Sequence, residues 1–165
     1  YGKTLGLLGL GAIGRGVAER AKGFGMKVIA HDVYWDDDYA RSHQITKVTP
    51  EQIYQEADFI SLHLPLLPET QNMIGEAQFK QMKSTAVLIN TARGGLIDEA
   101  ALLKALQTRQ IYGAGIDAFS QEPLTDPVWY ALDNLVIGSH AAASTVGATE
   151  MMGQRAADNL IRYLV

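Results

Sequence analysis

The stretch TLGLLGLGAIGRGVAERAKGFGMKVIAHD, residues 4–32, places a glycine-rich turn between a short apolar run and a helical pattern. Its glycines Gly9, Gly11 and Gly14 follow the spacing G-x-G-x-x-G. The first glycine allows a tight turn, the second lets a pyrophosphate approach the backbone, and the third lets the helix pack on the strand. The helix N-terminus offers unpaired N–H groups and a partial positive charge to phosphates. The stretch therefore predicts a strand–turn–helix unit that binds a dinucleotide.

An acidic residue, Asp32, stands at the end of the second predicted strand. A carboxylate at this place accepts hydrogen bonds from the adenosine ribose hydroxyls, and its charge would repel a 2′-phosphate. The residues that follow, VYWDDD, contain no arginine that could hold such a phosphate. The pattern favours NAD over NADP, and the alternative is a glycine turn followed by a surface aspartate.

Apolar runs typical of buried strands alternate with helical patterns along the chain. Strands are predicted at residues 4–8, 27–30, 45–48, 59–62, 86–89, 111–116 and 135–137. Helices are predicted from residue 12 to the glycines at 23 and 25, from the Thr-x-x-Gln capping box at 49–52, and over 75–81, 98–106 and 146–164. The acidic run at 36–38 is predicted to be a solvated loop. Buried strands alternating with helices indicate a Rossmann-type, doubly wound α/β fold: a parallel sheet between two helical layers.

Composition narrows the class of protein. The 165 residues are 47% apolar and 19% charged, with a net charge of −4, which predicts one globular domain over 1–165 and no nucleic-acid partner. The sequence lacks cysteine, which excludes disulfides and cysteine–metal clusters, and we predict no metal site. No apolar run approaches the ~20 residues of a membrane span, so we expect no membrane partner and a cytoplasmic location. Because the chain begins without methionine, we expect it to be one domain of a longer protein.

Three later strand ends carry residues suited to chemistry. Arg93 follows the run VLIN, Asp117 and Glu122 follow YGAGI, and His140 follows LVIGS. A guanidinium can bind a 2-keto acid and polarise its carbonyl, an imidazole can supply a proton, and a carboxylate can orient the imidazole. Taken singly, Arg93 is equally well explained as a loop charge, Glu122 as a cap and His140 as a core imidazole. Their convergence on the edge of one sheet favours catalysis.

Five segments together resemble the cofactor domain of the D-2-hydroxyacid dehydrogenase family, with the phosphoglycerate and glyoxylate/hydroxypyruvate branches nearest. They are GLLGLGAIGRGVAERAKGFGMKVIAHD, HLPLLPETQNMI, LINTARGGLIDEAALLKAL, GAGIDAFSQEPL and DNLVIGSHAAAST. The resemblance covers nearly the whole chain. It implies Arg93, Glu122 and His140 as the catalytic residues of an NAD-dependent oxidoreductase that interconverts D-2-hydroxy acids and 2-keto acids.

The resemblance also implies which residues contact the adenosine half of NAD. Ala12 and Ile13 would touch the pyrophosphate, and Asp32 would hold the ribose. Leu64 and Pro65 would line the adenosine side. Ala12 stands where many family members carry a basic residue, which implies slightly weaker pyrophosphate binding.

On the nicotinamide half, the resemblance implies a second group of contacts. Thr91 and Ala92, together with the catalytic arginine, would approach the ring, and Asp117 would hold its carboxamide. His140 and Ala142 would border the ring.

Family members combine this domain with a substrate-binding domain that this chain lacks. The resemblance therefore implies that the chain binds NAD, turns over a small 2-keto or 2-hydroxy acid poorly by itself, and forms a homodimer. A rival hypothesis is an NAD(H)-sensing interaction module like the C-terminal-binding protein corepressors, which keep the same arginine, glutamate and histidine. Formate dehydrogenase-like members carry glutamine in place of Glu122 and are disfavoured, whereas phosphite dehydrogenases share the three residues and stay open.

Overall fold

The computed structural model describes residues 1–164, which form a seven-stranded parallel sheet with helices on both faces. The strands are β1 Thr4–Leu8, β2 Lys27–His31, β3 Thr46–Lys47, β4 Phe59–Leu62, β5 Val87–Asn90, β6 Gly113–Ile116 and β7 Leu135–Ile137. The α-helices are α1 Ala12–Gly23, α2 Asp37–Ser42, α3 Pro50–Glu56, α4 Glu76–Phe79, α5 Glu99–Gln107, α6 Pro127–Tyr130 and α7 Val146–Leu164. Two 3₁₀ helices cover Gly94–Leu96 and Ala142–Ser144.

The side chains of β1 enter two separate hydrophobic cores, because successive side chains of a strand point to opposite faces of the sheet. Leu7 packs with Ala18 of α1 in the core on one face, and Leu8 packs with Ile53 of α3 in the core on the other. Both leucines are fully buried, which stabilises the fold by roughly 2 kcal/mol for each side chain. The predicted three-layer, doubly wound fold is confirmed.

The strand order β3-β2-β1-β4-β5-β6-β7 reverses the direction of winding between β1 and β4. At the carboxyl ends of these strands, the N–H of His63 donates to the carbonyl of Leu8 at 2.7 Å. The N–H of Gly9 donates to the carbonyl of His31 on β2 at 2.9 Å. In open α/β sheets ligands bind beside such a reversal, so this edge is where a site is expected.

The prediction of a solvated loop at residues 36–38 is wrong in part: all three lie at the surface or partly exposed, but Asp36 caps helix α2 and Asp37 and Asp38 begin it. Oδ1 of Asp36 accepts a hydrogen bond from the N–H of Tyr39 at 3.0 Å, and Asp37 and Asp38 occupy the first turn. Carboxylates at these positions satisfy free N–H groups and complement the positive end of the helix dipole. The acidic run is thus a helix start signal that the sequence analysis misread.

Other differences concern the ends of short elements. Helix α4 covers only Glu76–Phe79 of the predicted 75–81, and β6 begins at Gly113 rather than at residue 111. Helix α6 and the two 3₁₀ helices were not predicted. The predicted capping box of α3 is confirmed: the Oγ1 of Thr49 accepts the N–H of Gln52 at 3.3 Å, and the Oε1 of Gln52 accepts the N–H of Thr49 at 2.9 Å.

The last helix, α7, has the predicted bounds but, in the part of the chain that the structure describes, does not pack its side chains into either core. Within residues 1–164, none of the side chains of α7 is buried. Val136, at the centre of β7, is 73% exposed. None of the helices within residues 1–164 combines the length and apolarity needed to cross a bilayer.

Candidate active site

The turn after β1 adopts a conformation that requires glycine at two of its three positions. Gly9 has a φ of +98°, and a Cβ there would overlap the carbonyl of His63. A Cβ on Gly14 would overlap the carbonyl of Gly9, so this residue lets α1 lie against the turn. The turn is therefore fixed by packing inside the chain, without help from a ligand.

Gly11 differs from its neighbours because a Cβ there would meet no atom within 4 Å. Gly11 is the N-cap of α1, and within residues 1–164 no side chain caps this helix end and no acidic residue lies in its first turn. The first N–H groups and the positive end of the helix dipole therefore face open space. This space fits a pyrophosphate, which needs close backbone approach and free donors.

The carboxylate of Asp32 reaches back over the glycine turn. Its Oδ2 accepts a hydrogen bond from the N–H of Leu10 at 2.6 Å, and its Oδ1 accepts one from the N–H of Tyr34 at 2.8 Å. Each carboxylate oxygen has a further lone pair for a ribose hydroxyl. The sequence prediction placed Asp32 correctly at the end of β2.

A cleft of about 480 Å³ opens where the winding of the sheet reverses. Its walls come from the first turn of α1 and from the segments that follow β4 and β5. It is lined by Ile13, His63, Leu64, Pro65, Leu66, Thr91, Ala92 and Arg93. Six of the residues predicted to contact the cofactor thus share one cleft, next to the glycine turn.

Asn90, which the sequence analysis did not assign, shapes the loop that carries Arg93. Asn90 is fully buried; its Nδ2 donates to the carbonyl of Arg93 at 2.8 Å and its Oδ1 accepts from the N–H of Ala92 at 3.0 Å. The Arg93 side chain donates to the carbonyl of Ala92 at 2.7 Å. A polar residue ending the apolar run VLIN was the signal that could have revealed this role.

Close packing joins the Arg93 loop to the loop that carries Glu122. A Cβ on Gly94 would overlap the backbone of Phe119, so only glycine lets the two loops approach this closely. The N–H of Ser120 also donates to the carboxylate of Glu99 on α5 at 2.6 Å. These contacts link residues far apart in the sequence and hold two of the predicted catalytic residues in adjoining loops.

Glu122 and His140 form a direct pair. Both carboxylate oxygens of Glu122 lie 2.9 Å from Nδ1 of His140, and Oε1 also accepts the N–H of Phe119 at 2.9 Å. The hydrogen bond from Phe119, and then those from His140 and the charges of His140 and Arg93, lower the pKa of Glu122. An ionised carboxylate facing Nδ1 holds the proton on that nitrogen, which leaves Nε2 available for exchange with a ligand.

The backbone of His140 is held in a left-handed conformation with a φ of +53°. Its N–H donates to Oδ1 of Asp117 at 3.0 Å. A Cβ on Gly138 would overlap this same carboxylate, so the strand end leaves room for Asp117. Asp117 and His140 share a cavity of about 330 Å³ with Glu122.

Two further residues, His63 and Ala142, lie close in the sequence to residues of these cavities. Nε2 of His63 lies within hydrogen-bond distance of the Ser61 hydroxyl, at 3.0 Å, and its burial lowers its pKa, so it is neutral near pH 7. Ala142 lies in the 3₁₀ helix after His140 and, among residues 1–164, lines neither of the two cavities.

The fold, the open N-terminus of α1 and the carboxylate of Asp32 at the end of β2 are typical of a dinucleotide-binding domain. Residues 1–142 match the family described as "D-isomer specific 2-hydroxyacid dehydrogenase, NAD binding domain". The chain belongs to this family, and NAD is its cofactor, as the sequence predicted.

Relatives and solved structures agree with this assignment. The chain is 45% identical to the glyoxylate reductase of Korarchaeum cryptofilum over 99% of its own length and 49% of that protein. It is 45% identical to the glycerate dehydrogenase of Methylorubrum extorquens over 99% of its length and 50% of that protein. The NAD-complexed D-isomer specific 2-hydroxyacid dehydrogenase of Lactobacillus delbrueckii has a TM-score of 0.89 and 39% identity, covering 98% of this chain and 53% of that one. The chain thus spans about half the length of these relatives.

Proposed function

We propose that this chain binds NAD(H) and is the cofactor domain of an oxidoreductase that interconverts D-2-hydroxy acids and 2-keto acids. The observation that carries the proposal is the pair in which both oxygens of Glu122 lie 2.9 Å from Nδ1 of His140. It stands at the same edge of the sheet as the glycine turn and the Arg93 loop. The open space at Gly11 and the free N–H groups of α1 would receive the pyrophosphate, and Asp32 the ribose.

Each catalytic residue has a separate task in this proposal. Arg93 binds the substrate carboxylate and polarises the carbonyl, since its planar guanidinium offers paired donors to an oxyanion. NADH, when bound, would supply the hydride for the carbonyl carbon. His140 gives the proton on Nε2 to the carbonyl oxygen, while Glu122 holds Nδ1 and stabilises the imidazolium. In the reverse direction His140 accepts the proton of the hydroxyl group.

The names of the relatives favour a small 2-keto acid such as glyoxylate or hydroxypyruvate as the substrate. A substrate-binding domain, as in the longer relatives, would complete the pocket and exclude water, and the chain alone would therefore turn over poorly. A homodimer through this domain is also part of the proposal. A dimer interface on α7 would bury its exposed apolar side chains, which include Met151, Leu160 and Ile161.

The test is single-turnover oxidation of bound NADH by glyoxylate, which measures the chemical step even when substrate capture is weak. The variant His140→Ala should slow this step by ~100- to 10,000-fold, the usual contribution of a positioned acid–base group. Titration with NADH must still show binding, which separates lost chemistry from lost folding. An unchanged rate in His140→Ala would contradict the assigned role.

A further inference from the structure

Arg15 is a guanidinium that the predicted function leaves unused, although it lies beside the ribose site. Its Nε donates to the carbonyl of Leu10 at 3.1 Å, and its Nη2 donates to Oδ2 of Asp36 at 3.0 Å. Its Cζ lies 4.2 Å from the centroid of the Tyr39 ring, which covers one face of the guanidinium. Three contacts from two segments, the glycine turn and the start of α2, therefore fix this side chain.

The position of Arg15 relative to the ribose site follows from Leu10. The N–H of Leu10 donates to Asp32 at 2.6 Å, while its carbonyl accepts from Arg15 at 3.1 Å. The carboxylate of Asp32 and the guanidinium of Arg15 thus bind the N–H and the carbonyl of the same residue, Leu10. A phosphate on the 2′-hydroxyl of the ribose would lie next to both. The sequence VYWDDD supplies no arginine here, but the fold brings one from α1.

The contacts of Asp36 determine whether the guanidinium of Arg15 is free to bind a phosphate. Oδ1 of Asp36 accepts the N–H of Tyr39 at 3.0 Å as the cap of α2, and its Oδ2 accepts from Arg15 at 3.0 Å. The hydrogen bond from Tyr39 is the largest cause of a lowered pKa of Asp36, so the carboxylate is ionised at neutral pH. Asp36 therefore neutralises the charge of Arg15 and occupies one of the donors that a phosphate would use.

We propose that Asp36 is a second determinant of cofactor selectivity, because it withholds Arg15 from a 2′-phosphate. In this arrangement NADP is rejected twice: by the charge of Asp32, and by the pairing of Arg15 with Asp36. Removing the charge of Asp32 alone should then be insufficient for tight NADPH binding. This inference rests on the proposed binding of NAD(H) by this chain.

The experiment is a double-mutant cycle in the affinity of the chain for NADPH, measured by calorimetry, with NADH titrated in parallel. The variants are Asp32→Asn, Asp36→Asn and the double variant. Asparagine keeps the capping oxygen of α2, so the fold is preserved. Each single variant should gain less than about 5-fold in NADPH affinity. The double variant should gain about 10- to 100-fold beyond their product, the worth of charge-assisted hydrogen bonds from a released arginine.

Two further variants separate the freed arginine from a general change in charge. Arg15→Met, added to the double variant, should abolish the gain. Asp38→Asn is the matched control, because Asp38 lies on the same helix, is 95% exposed and pairs with Arg41 rather than Arg15. The double variant Asp32→Asn/Asp38→Asn should not show this gain. If its NADPH affinity rises as much as that of Asp32→Asn/Asp36→Asn, the inference is overturned. A folded wild-type chain that binds no NADH would instead refute the proposed function.

Discussion

The glycine turn and the segment after β7 are supported in opposite ways. Around the turn, Leu7, Leu8 and Ile60 are fully buried, and backbone hydrogen bonds tie the ends of three neighbouring strands together. After β7, by contrast, α7 has no buried side chain in the described part of the chain, and the side chain of His140 is 41% exposed. The strand ends around the glycine turn are tightly packed, whereas His140 is held by a few polar contacts.

This difference teaches where the chain is self-sufficient. The glycine turn is held by packing around Gly9 and Gly14, where any Cβ would overlap a carbonyl, so the space proposed for the pyrophosphate does not depend on a ligand. The place of His140 depends on hydrogen bonds to Asp117 and Glu122 that water can also make. Exposed apolar side chains on a helix are typical of a surface that contacts another domain or chain.

The largest effect expected from this comparison is a difference in amide hydrogen exchange between the packed strands and α7. Amides of β1 and β4 should exchange at least about 1,000-fold more slowly than those of α7, because only the strands open by global unfolding. The measurement is exchange followed by mass spectrometry or NMR on the wild-type chain. Equal protection of α7 would contradict the comparison and would mean that a second copy or another part of the molecule covers it.

A smaller effect is expected from paired glycine substitutions in the turn. Gly11→Ala should lower NADH affinity by about 10-fold or more with unchanged stability, because its Cβ enters only the space proposed for the pyrophosphate. Gly14→Ala should instead reduce the free energy of unfolding by about 1–3 kcal/mol, because its Cβ overlaps Gly9 and forces α1 away. Titration with NADH and denaturation in urea measure the two effects separately.

Gly23→Ala is the matched control for the glycine pair, since a Cβ there also meets nothing within 4 Å but lies at the far end of α1. It should leave both NADH affinity and stability nearly unchanged. Equal losses of affinity in Gly11→Ala and Gly23→Ala would show that the open space at Gly11 is not the pyrophosphate site.

The smallest effect concerns the pH dependence of the packed half. Asp58 accepts the N–H of Thr4 at 2.8 Å and the ammonium of Lys83 at 3.2 Å, and so joins the starts of β1 and β4. The hydrogen bond from Thr4, more than the charges of Lys83 and Lys3, lowers the pKa of Asp58. A carboxyl whose pKa is lower in the folded state adds stability above its unfolded pKa, and loses it as the pH falls through the folded value.

Asp58→Asn should therefore cost about 1 kcal/mol of unfolding free energy near pH 7 and little below about pH 3. Urea denaturation at both pH values measures the change, and Asp38→Asn, removing an exposed carboxylate, should change neither. A loss of the same size at both pH values would show that the charge of Asp58 adds nothing to this half.

Most of the fold could be predicted from the sequence because its signals are local. The bounds of β1, β4, β7 and α7 follow from apolar runs and periodicity within a few residues. The strand ends that carry Arg93, Glu122 and His140 were recognisable for the same reason. The start of α2 escapes prediction although its signal is local, since a run of aspartates is typical both of a solvated loop and of a helix cap.

Part of the candidate site could not be predicted, because its contacts join residues far apart in the chain. Asn90 shapes the Arg93 loop from a buried position, and Gly94 admits the backbone of Phe119. Neither contact leaves a spacing that can be recognised along the sequence. They depend on which loops meet when parallel strands are ordered side by side.

By itself, the sequence determined the class of fold, the glycine turn and the three strand ends where chemistry is proposed, because glycine spacing and strand periodicity are local constraints on the backbone. Only the tertiary structure decided that Asp36 holds Arg15 across 21 positions, and that α7 lies apart from the buried core. Side-chain pairing of this kind is set by the packing of helices on the sheet, a long-range property that no short stretch of residues encodes.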